Sequence, residues 1–483
     1  MFDYRGFATR RLAALGTKYL PFADVASDDV PLSQLLRLSL FQVTVGMALV
    51  LLVGTLNRVM IVELGVPAAL VGVMLALPLL FAPFRALIGY KSDTHVSALG
   101  LRRIPYIWKG TLYQFGGFAV MPFALLVLSG YGEAVDAPRW IGYSSAALAF
   151  LLVGAGLHIV QTVGLALATD LVDEADQPKV VGLMYVMLLL GMVVSAIVYG
   201  ALLENYTPGR LVQVIQGTAV VTAVLNLLAM WKQESRSRER ARQMEAARPP
   251  EFSVAWATLM SEPDMLRLLF VIGLGTLGFG MADVLLEPYG GQVLALSIAD
   301  TTRLTALLAT GTLAGFVIAS RVLSDGGSPA RMAGLGAAIG IPGFIAIIMS
   351  SLGGGTALFL AGTLATGLGA GLFGHSTLTA AIRAAPAERT GLALGAWGAV
   401  QATAAGVGVA LAGIVRDAVA AMPVGTGPAP HIPYNVVFAI EAFFLAVAIV
   451  VALPLIFGTR RGETRSPPRS ETNTANASTM EAS

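Results

Sequence analysis

The chain has 483 residues, 56% of them hydrophobic and 12% charged, with a formal net charge of +2, against about 25% charged residues in an ordinary soluble protein. Its mean hydropathy of +0.74 excludes a water-soluble globular domain, and so small a net charge gives no electrostatic case for a nucleic-acid partner. Cysteine is absent, which excludes disulfides and thiolate chemistry.

The N-terminus carries Arg5, Arg10 and Arg11 but no short apolar run ending in a small-residue cleavage site, so it does not read as a removable signal peptide. Residues 1–37 place Phe7, Leu12, Leu15, Tyr19 and Phe22 at roughly helical spacing among basic residues. This cytoplasmic segment is either a helix lying in the headgroup layer or a plain tail.

A spanning helix needs about 20 mostly apolar residues. On that rule spans fall near 38–62, 67–90, 104–129, 140–168, 179–203 and 211–231, forming an N-terminal half over 38–231. A charged cytoplasmic linker occupies 232–264, including the run from Lys232 to Pro250. The C-terminal half, 265–457, contains spans near 265–287, 303–323, 330–351, 356–382, 390–415 and 434–457. Residues 458–483, rich in Ser, Thr, Pro and Asn, read as a disordered cytoplasmic tail. These segments are too long for barrel strands, and open sheet edges are not tolerated in lipid. The expected fold is therefore an all-α integral membrane protein, with twelve transmembrane helices in two six-helix halves.

Orientation follows from Lys and Arg. With those spans, the 31 basic residues split 26 to 5 between the two sides, the five being Arg58, Arg139, Arg210, Arg303 and Arg416. Both termini then lie on the cytoplasmic side.

The halves repeat weakly. Gly154-Ala155-Gly156-Leu157 in span 4 corresponds to Gly369-Ala370-Gly371-Leu372 in span 10, and Ser92-Asp93 after span 2 to Ser324-Asp325 after span 8. Internal repetition of this kind is a hallmark of transporter folds. Glycines at small-xxx-small spacing, such as Gly367 with Gly371 and Gly391 with Gly395, point to close helix packing rather than to a ligand site.

Polar groups inside the spans are costly in hydrocarbon and are functional candidates for that reason. Asp283 and Glu287 lie four residues apart on one helical face, immediately before Pro288-Tyr289-Gly290-Gly291. If both face inward, one is protonated or a basic group such as Arg58 or Arg303 lies nearby; alternatively Glu287 sits in water at the outer membrane surface. Glu441, two turns into span 12, is harder to place in water. His158 in span 4 and His375 in span 10 suit either of two roles: an axial ligand to the magnesium of a tetrapyrrole, or a hydrogen-bonding link to a neighbouring helix. No Walker motif, metal-spaced cluster or nucleophile elbow is visible, so an enzyme is not expected.

The loop from Gly89 to Arg103, with Gly89, Asp93, Gly100, Arg102 and Arg103, resembles the cytoplasmic gating signature of the major facilitator superfamily. It has a longer spacer than usual, and Thr94 stands where a basic residue is common. Its expected role is ionic pairing across the bundle. Five stretches, Leu36 to Ala68, Arg85 to Gly110, Ala168 to Ala196, Met281 to Leu294 and Gly391 to Gly406, resemble the PucC/LhaA family of photosynthetic bacteria. The most specific is Leu286-Glu287-Pro288-Tyr289-Gly290-Gly291.

That resemblance implies a bacteriochlorophyll-delivery branch of the superfamily, needed for assembly of light-harvesting complexes in the intracytoplasmic photosynthetic membrane. It implies bacteriochlorophyll or a late precursor as cargo. Implied partners are light-harvesting antenna polypeptides, and also a reaction centre-antenna complex, a pigment synthase and the insertion machinery. Candidate pigment-binding residues are Asp283, Glu287 and Tyr289 of the matching run, together with His158, His375 and Trp397, which are added for their chemistry and not by the resemblance; the two aromatics would be stacking surfaces. Two other readings stay open: a proton-coupled transporter of a small solute using Asp283, Glu287 or Glu441, and a membrane scaffold for antenna helices that binds no pigment.

Overall fold

The computed structural model describes Val25, residues 30–80, Ile88, Ser92, 101–130, Ala134, 136–173, 176–234, Ala257, Met260, Ser261, 264–384, 390–422 and 429–463. Gly89, Asp93 and Gly100 of the loop signature lie outside the described residues, as do most of the N-terminal segment, most of the linker and the tail beyond Glu463.

Among the described residues every regular element is a helix. We label them α1 (Leu32–Glu63), α2 (Ala68–Leu80), α3 (Ile104–Ser129), α4 (Arg139–Asp170), α5 (Gln177–Leu202), α6 (Pro208–Met230), α7 (Met265–Leu294), α8 (Ile298–Ser324), α9 (Pro329–Met349), α10 (Gly355–Ala384), α11 (Thr390–Ala420) and α12 (Ile432–Glu463). Among the described residues ten helical stretches are long and apolar enough to cross a membrane. One of those stretches, Pro329–Ala384, comprises α9 and α10 around a tight turn in which Gly353 (φ 116°) and Gly355 (φ 68°) take backbone angles that disfavour a side chain. The chain is a multi-pass membrane protein.

The helix ends explain themselves locally. Pro105, Pro178, Pro208 and Pro329 stand in first turns, where a missing N–H costs nothing. Thr207 and Ser297 cap α6 and α8 by accepting from the N–H groups of Arg210 and Asp300. Within α1 the turns at Val50–Leu56 and Val59–Glu63 widen to π-helical geometry, a form that recurs at functional positions.

The first six helices pack on one another, and the last six do likewise; the two groups meet where α2 lies on α11 and α5 on α8. The Gly-Ala-Gly-Leu repeat is a packing device. A methyl added at Gly154 would fall 2.3 Å from Pro78 of α2, and one at Gly156 2.5 Å from the Gly110 carbonyl of α3. In the later group, a methyl added at Gly369 would fall 2.6 Å from the Gly336 carbonyl of α9 and one at Gly371 2.0 Å from the Thr312 carbonyl of α8. Each copy thus wedges its helix between the two that precede it.

A buried polar cluster ties the first group together. Asn226 of α6 accepts from Thr44 of α1 (2.8 Å) and donates to Thr111 of α3 (2.9 Å). In lipid such links take the place of a hydrophobic driving force between helices.

The Gly371 crossing makes a direct test. Gly371→Ala forces an added carbon against the Thr312 backbone and is expected to lower stability by about 1–3 kcal/mol. Gly374→Ala on the same helix has open space within 4 Å and should be neutral or slightly stabilising. Thermal unfolding of the two variants in detergent distinguishes them.

Candidate functional site

Helix α7 is discontinuous. Its first part ends at Gly280, its second runs Ala282–Leu294, and Met281 is the joint. A helix start inside a membrane exposes backbone N–H groups that water cannot satisfy. Here Glu441 of α12, with no exposed surface, accepts the Ala282 N–H through Oε1. Broken helices of this kind, with polar groups at the break, build the binding sites of transporter folds.

The second part of α7 contains a proline, yet it continues to Leu294 rather than stopping at Glu287 as the hydropathy pattern implied. Pro288 has no N–H, so the Val284 carbonyl one turn earlier loses its helical donor. Asn57 of α1 supplies the replacement, its side-chain amide donating to the Val284 carbonyl at 2.7 Å.

Around this segment the carboxylates converge. Asp283 and Glu287 both line a cavity of about 120 Å³, together with Val53 and Gly54 of α1, Met192 of α5, and Leu304 and Leu308 of α8. Glu287 is only 3% exposed, which removes the alternative that it sits in water at the membrane surface. Its Oε1 accepts from the Thr305 hydroxyl of α8, while Oε2 has no hydrogen-bond partner. Gly54 is required here, since a side chain would begin 2.4 Å from the Glu287 oxygen.

Arg58, expected at the outer surface, is 4% exposed and leans over Gly291, where an added carbon would lie 2.9 Å from Nη2. It pairs with Glu63 through Nη1, and its Nη2 donates to the Leu296 carbonyl at 3.1 Å. Arg303, the other base considered, pairs with Asp300 at 3.3 Å instead.

The remaining sequence candidates fall elsewhere. Tyr289 has no exposed surface. Its hydroxyl donates to the Ile347 carbonyl at 3.0 Å and lies 2.8 Å from Ser350 Oγ, and its ring is enclosed by Phe359, Tyr434 and Phe438 at centroid distances of 5.2, 5.7 and 5.4 Å. The expectation of a stacking surface is corrected: no face of the ring is left for a ligand. Trp397 of α11 is likewise buried, with Nε1 donating to Thr377 Oγ1 at 3.3 Å beside Met265, Leu268 and Leu269. His375 of α10 is half-buried with its ring 4.2 Å from that of Phe316, which packs in the seam between α5 and α8. His158 is half-buried on α4.

Of the gating signature, Arg103 grips Asp170 at the end of α4 with two contacts, 2.5 Å from Nε and 3.1 Å from Nη2, and Arg102 reaches the same carboxylate at 2.9 Å. Glu234 then accepts the backbone N–H groups of Arg102, Arg103 and Ile104 at 2.7 to 3.2 Å, capping α3. The Asp170 pairing joins the start of α3 to the end of α4, while Asp93, the expected acidic partner across the bundle, lies outside the described residues. Sequence reasoning missed Asp170, Glu234, Asn57 and Thr305. Only the proline at 288, which demands a foreign donor for the Val284 carbonyl, carried a usable signal, and it pointed to no particular partner.

Chemically the cavity can hold a few waters, at about 30 Å³ each, and is well below the roughly 300–1,000 Å³ of small-molecule sites. It presents two carboxyl groups with no nucleophile or metal cluster beside them among the described residues.

The family model described as "PUCC protein" matches residues 55–460. The chain belongs to this family. "Protein PucC" of Rhodobacter capsulatus is 72% identical over 94% of this chain and 98% of its own length, and "Protein PucC" of Rhodovulum sulfidophilum is 64% identical over 85% and 91%. Among solved structures, a bacterial homologue of the human lysosomal transporter Spinster in an inward-facing conformation superposes with a TM-score of 0.64 at 16% identity, over 90% of this chain and 98% of that one. The PUCC family member described here therefore shares the fold of that transporter.

The cap at the α7 break is testable by substitution. Glu441→Ala leaves the Ala282 N–H orphaned in an apolar interior, a loss of about 1–3 kcal/mol, whereas Glu441→Gln keeps a carbonyl acceptor and should lose much less. Thermal unfolding of the two purified variants should rank them in that order.

Proposed function

We propose that the chain is a twelve-span, non-enzymatic assembly factor for bacterial light-harvesting antenna complexes. In this reading both termini are cytoplasmic, the protein resides in the intracytoplasmic photosynthetic membrane, and it hands bacteriochlorophyll or a late precursor to antenna polypeptides. The observation that carries the reading is membership of the PUCC family along nearly the whole chain. The twelve-span count follows from treating α2 as a span and α9 and α10 as separate ones, and the basic residues then gather on the side of both termini.

The pigment is cargo with a hydrophobic tail, and it partitions into lipid. A cavity of about 120 Å³ between α1, α7 and α8 does not fit a tetrapyrrole macrocycle, so Asp283 and Glu287 are poor pigment contacts in this conformation. His375 fits better: it is half-buried, and its neighbour Phe316 belongs to the α5–α8 seam that faces between the two helix groups. A neutral imidazole there supplies one nitrogen donor to a chlorin magnesium, and the aromatic ring beside it supplies a flat apolar contact. His158, half-buried on α4 just after its copy of the Gly-Ala-Gly-Leu repeat, is the second candidate. On this account the pigment enters and leaves sideways, at helix seams that open to lipid.

Purification from a pigment-making host in gentle detergent should yield bacteriochlorophyll or a precursor bound to the protein. His375→Ala, and more strongly the His158→Ala/His375→Ala pair, should reduce the bound pigment several-fold at unchanged protein yield. Wild-type protein free of pigment under those conditions would overturn delivery. Deletion in the host is expected to diminish near-infrared antenna absorption, and an unchanged spectrum would overturn the assembly role itself.

A further inference from the structure

We propose that Asp283, Glu287 and Glu441 form a membrane-embedded proton-binding site, whose loading is coupled to movement of the second part of α7 against α1 and α12. This inference is independent of pigment delivery. It concerns the cavity that the cargo does not fit.

Charge balance in the membrane interior constrains these groups. Three carboxyl groups lie on or against the segment Ala282–Leu294: Asp283 and Glu287 open to the cavity, and Glu441 sits at the helix break. The charged groups on the elements packed against that segment are engaged with one another, as Arg267 and Asp264 at the start of α7 are at 2.6 Å. From α1 comes Arg58, which pairs with Glu63 and also acts on Glu287 through space. From α8 come Arg303 and Asp300, paired with each other, and uncharged Thr305. From α11 come Arg416 and Asp417, paired at 2.7 Å, with Arg416 lying over the ring of Tyr434 of α12. Among the described residues no Lys or Arg forms an ion pair with any of the three acids, and Arg58, shared with Glu63, offsets at most one charge, so full ionisation would leave net negative charge in a low-dielectric interior.

Two further observations point to hydrogen ions as the ligand. Oε2 of Glu287 and Oε2 of Glu441 are buried and have no hydrogen-bond partner. Both residues are more than nine-tenths buried. An ionised carboxylate needs several donors, whereas a carboxylic acid needs few. Moreover, among the described residues no three His, Asp or Glu side chains converge as the ligands of one metal ion. The acids are strung along the segment, Asp283 and Glu287 one helical turn apart, which suits protons held separately rather than one shared cation.

The same groups hold the moving part. Glu441 grips the Ala282 N–H, Glu287 grips Thr305 of α8, and Asn57 of α1 grips the Val284 carbonyl. A change in protonation of Glu441 or Glu287 alters acceptor strength at two of these three attachments. Proton occupancy is thereby linked to how the segment sits between α1, α8 and α12.

The test uses the full-length protein in lipid nanodiscs and pH-difference infrared spectroscopy, which reads the carbonyl stretch of protonated carboxyl groups directly. Wild-type protein should show protonated-carboxyl bands at neutral pH that disappear on alkalinisation, and E287Q and E441Q should each remove part of that intensity. D283N should remove a further part. Gln and Asn retain the carbonyl acceptor, and circular dichroism checks that each variant is folded. Absence of protonated-carboxyl intensity in folded wild-type protein overturns the proposal without recourse to any variant. Bands that persist unchanged in all three variants overturn it too, and bands abolished by sodium at fixed pH would assign the site to a metal cation instead. Loss of antenna assembly is a separate measurement, so failure here leaves the assembly reading standing.

Discussion

Every backbone polar group inside a bilayer must find a partner within the protein, and α7 is where this requirement bears hardest on the molecule. The helix is interrupted at Met281 and carries Pro288. Those two irregularities free one donor and one acceptor, the Ala282 N–H and the Val284 carbonyl. The first is taken by Glu441 from α12 and the second by Asn57 from α1. Because the partners come from opposite groups of helices, satisfying α7 also locks its position between them. The cavity, the placement of Asp283 and Glu287, and the seat of Arg58 beside Gly291 all follow from where α7 is held.

Much of the architecture was legible from hydropathy alone. The expected spans at 104–129, 140–168 and 356–382 lie within a few residues of α3, α4 and α10, because lipid-facing segments must be continuously apolar. The misreading at Glu287 has a specific cause. Hydropathy treats a carboxylate and a proline together as the end of a span, whereas a side-chain donor on another helix lets the helix continue. Nothing in the residues around Asn57 announces that service.

The candidate site was legible in part. Asp283, Glu287 and Glu441 stood out because charge is rare in these spans, and the structure brings the first two to one cavity with the third at the adjacent break. Tyr289 and Trp397 stood out as flat rings that could stack on a pigment, and they are core packing. Large rings fill interiors far more often than they face ligands, and sequence spacing carries no information about which face of a ring is already covered. The basic pair Arg102 and Arg103 shows a related limit: its charge was evident, but its partner Asp170 lies at the end of a helix distant in sequence.

The link between Asn57 and the carbonyl freed by Pro288 makes these two positions epistatic. Restoring an N–H at 288 gives Val284 a second claimant and leaves the Asn57 amide without its acceptor. Replacing Asn57 by an apolar residue leaves the carbonyl bare. Changed together, the two substitutions restore the balance of donor and acceptor at the Val284 carbonyl, so the stability cost of either one depends on the residue at the other position.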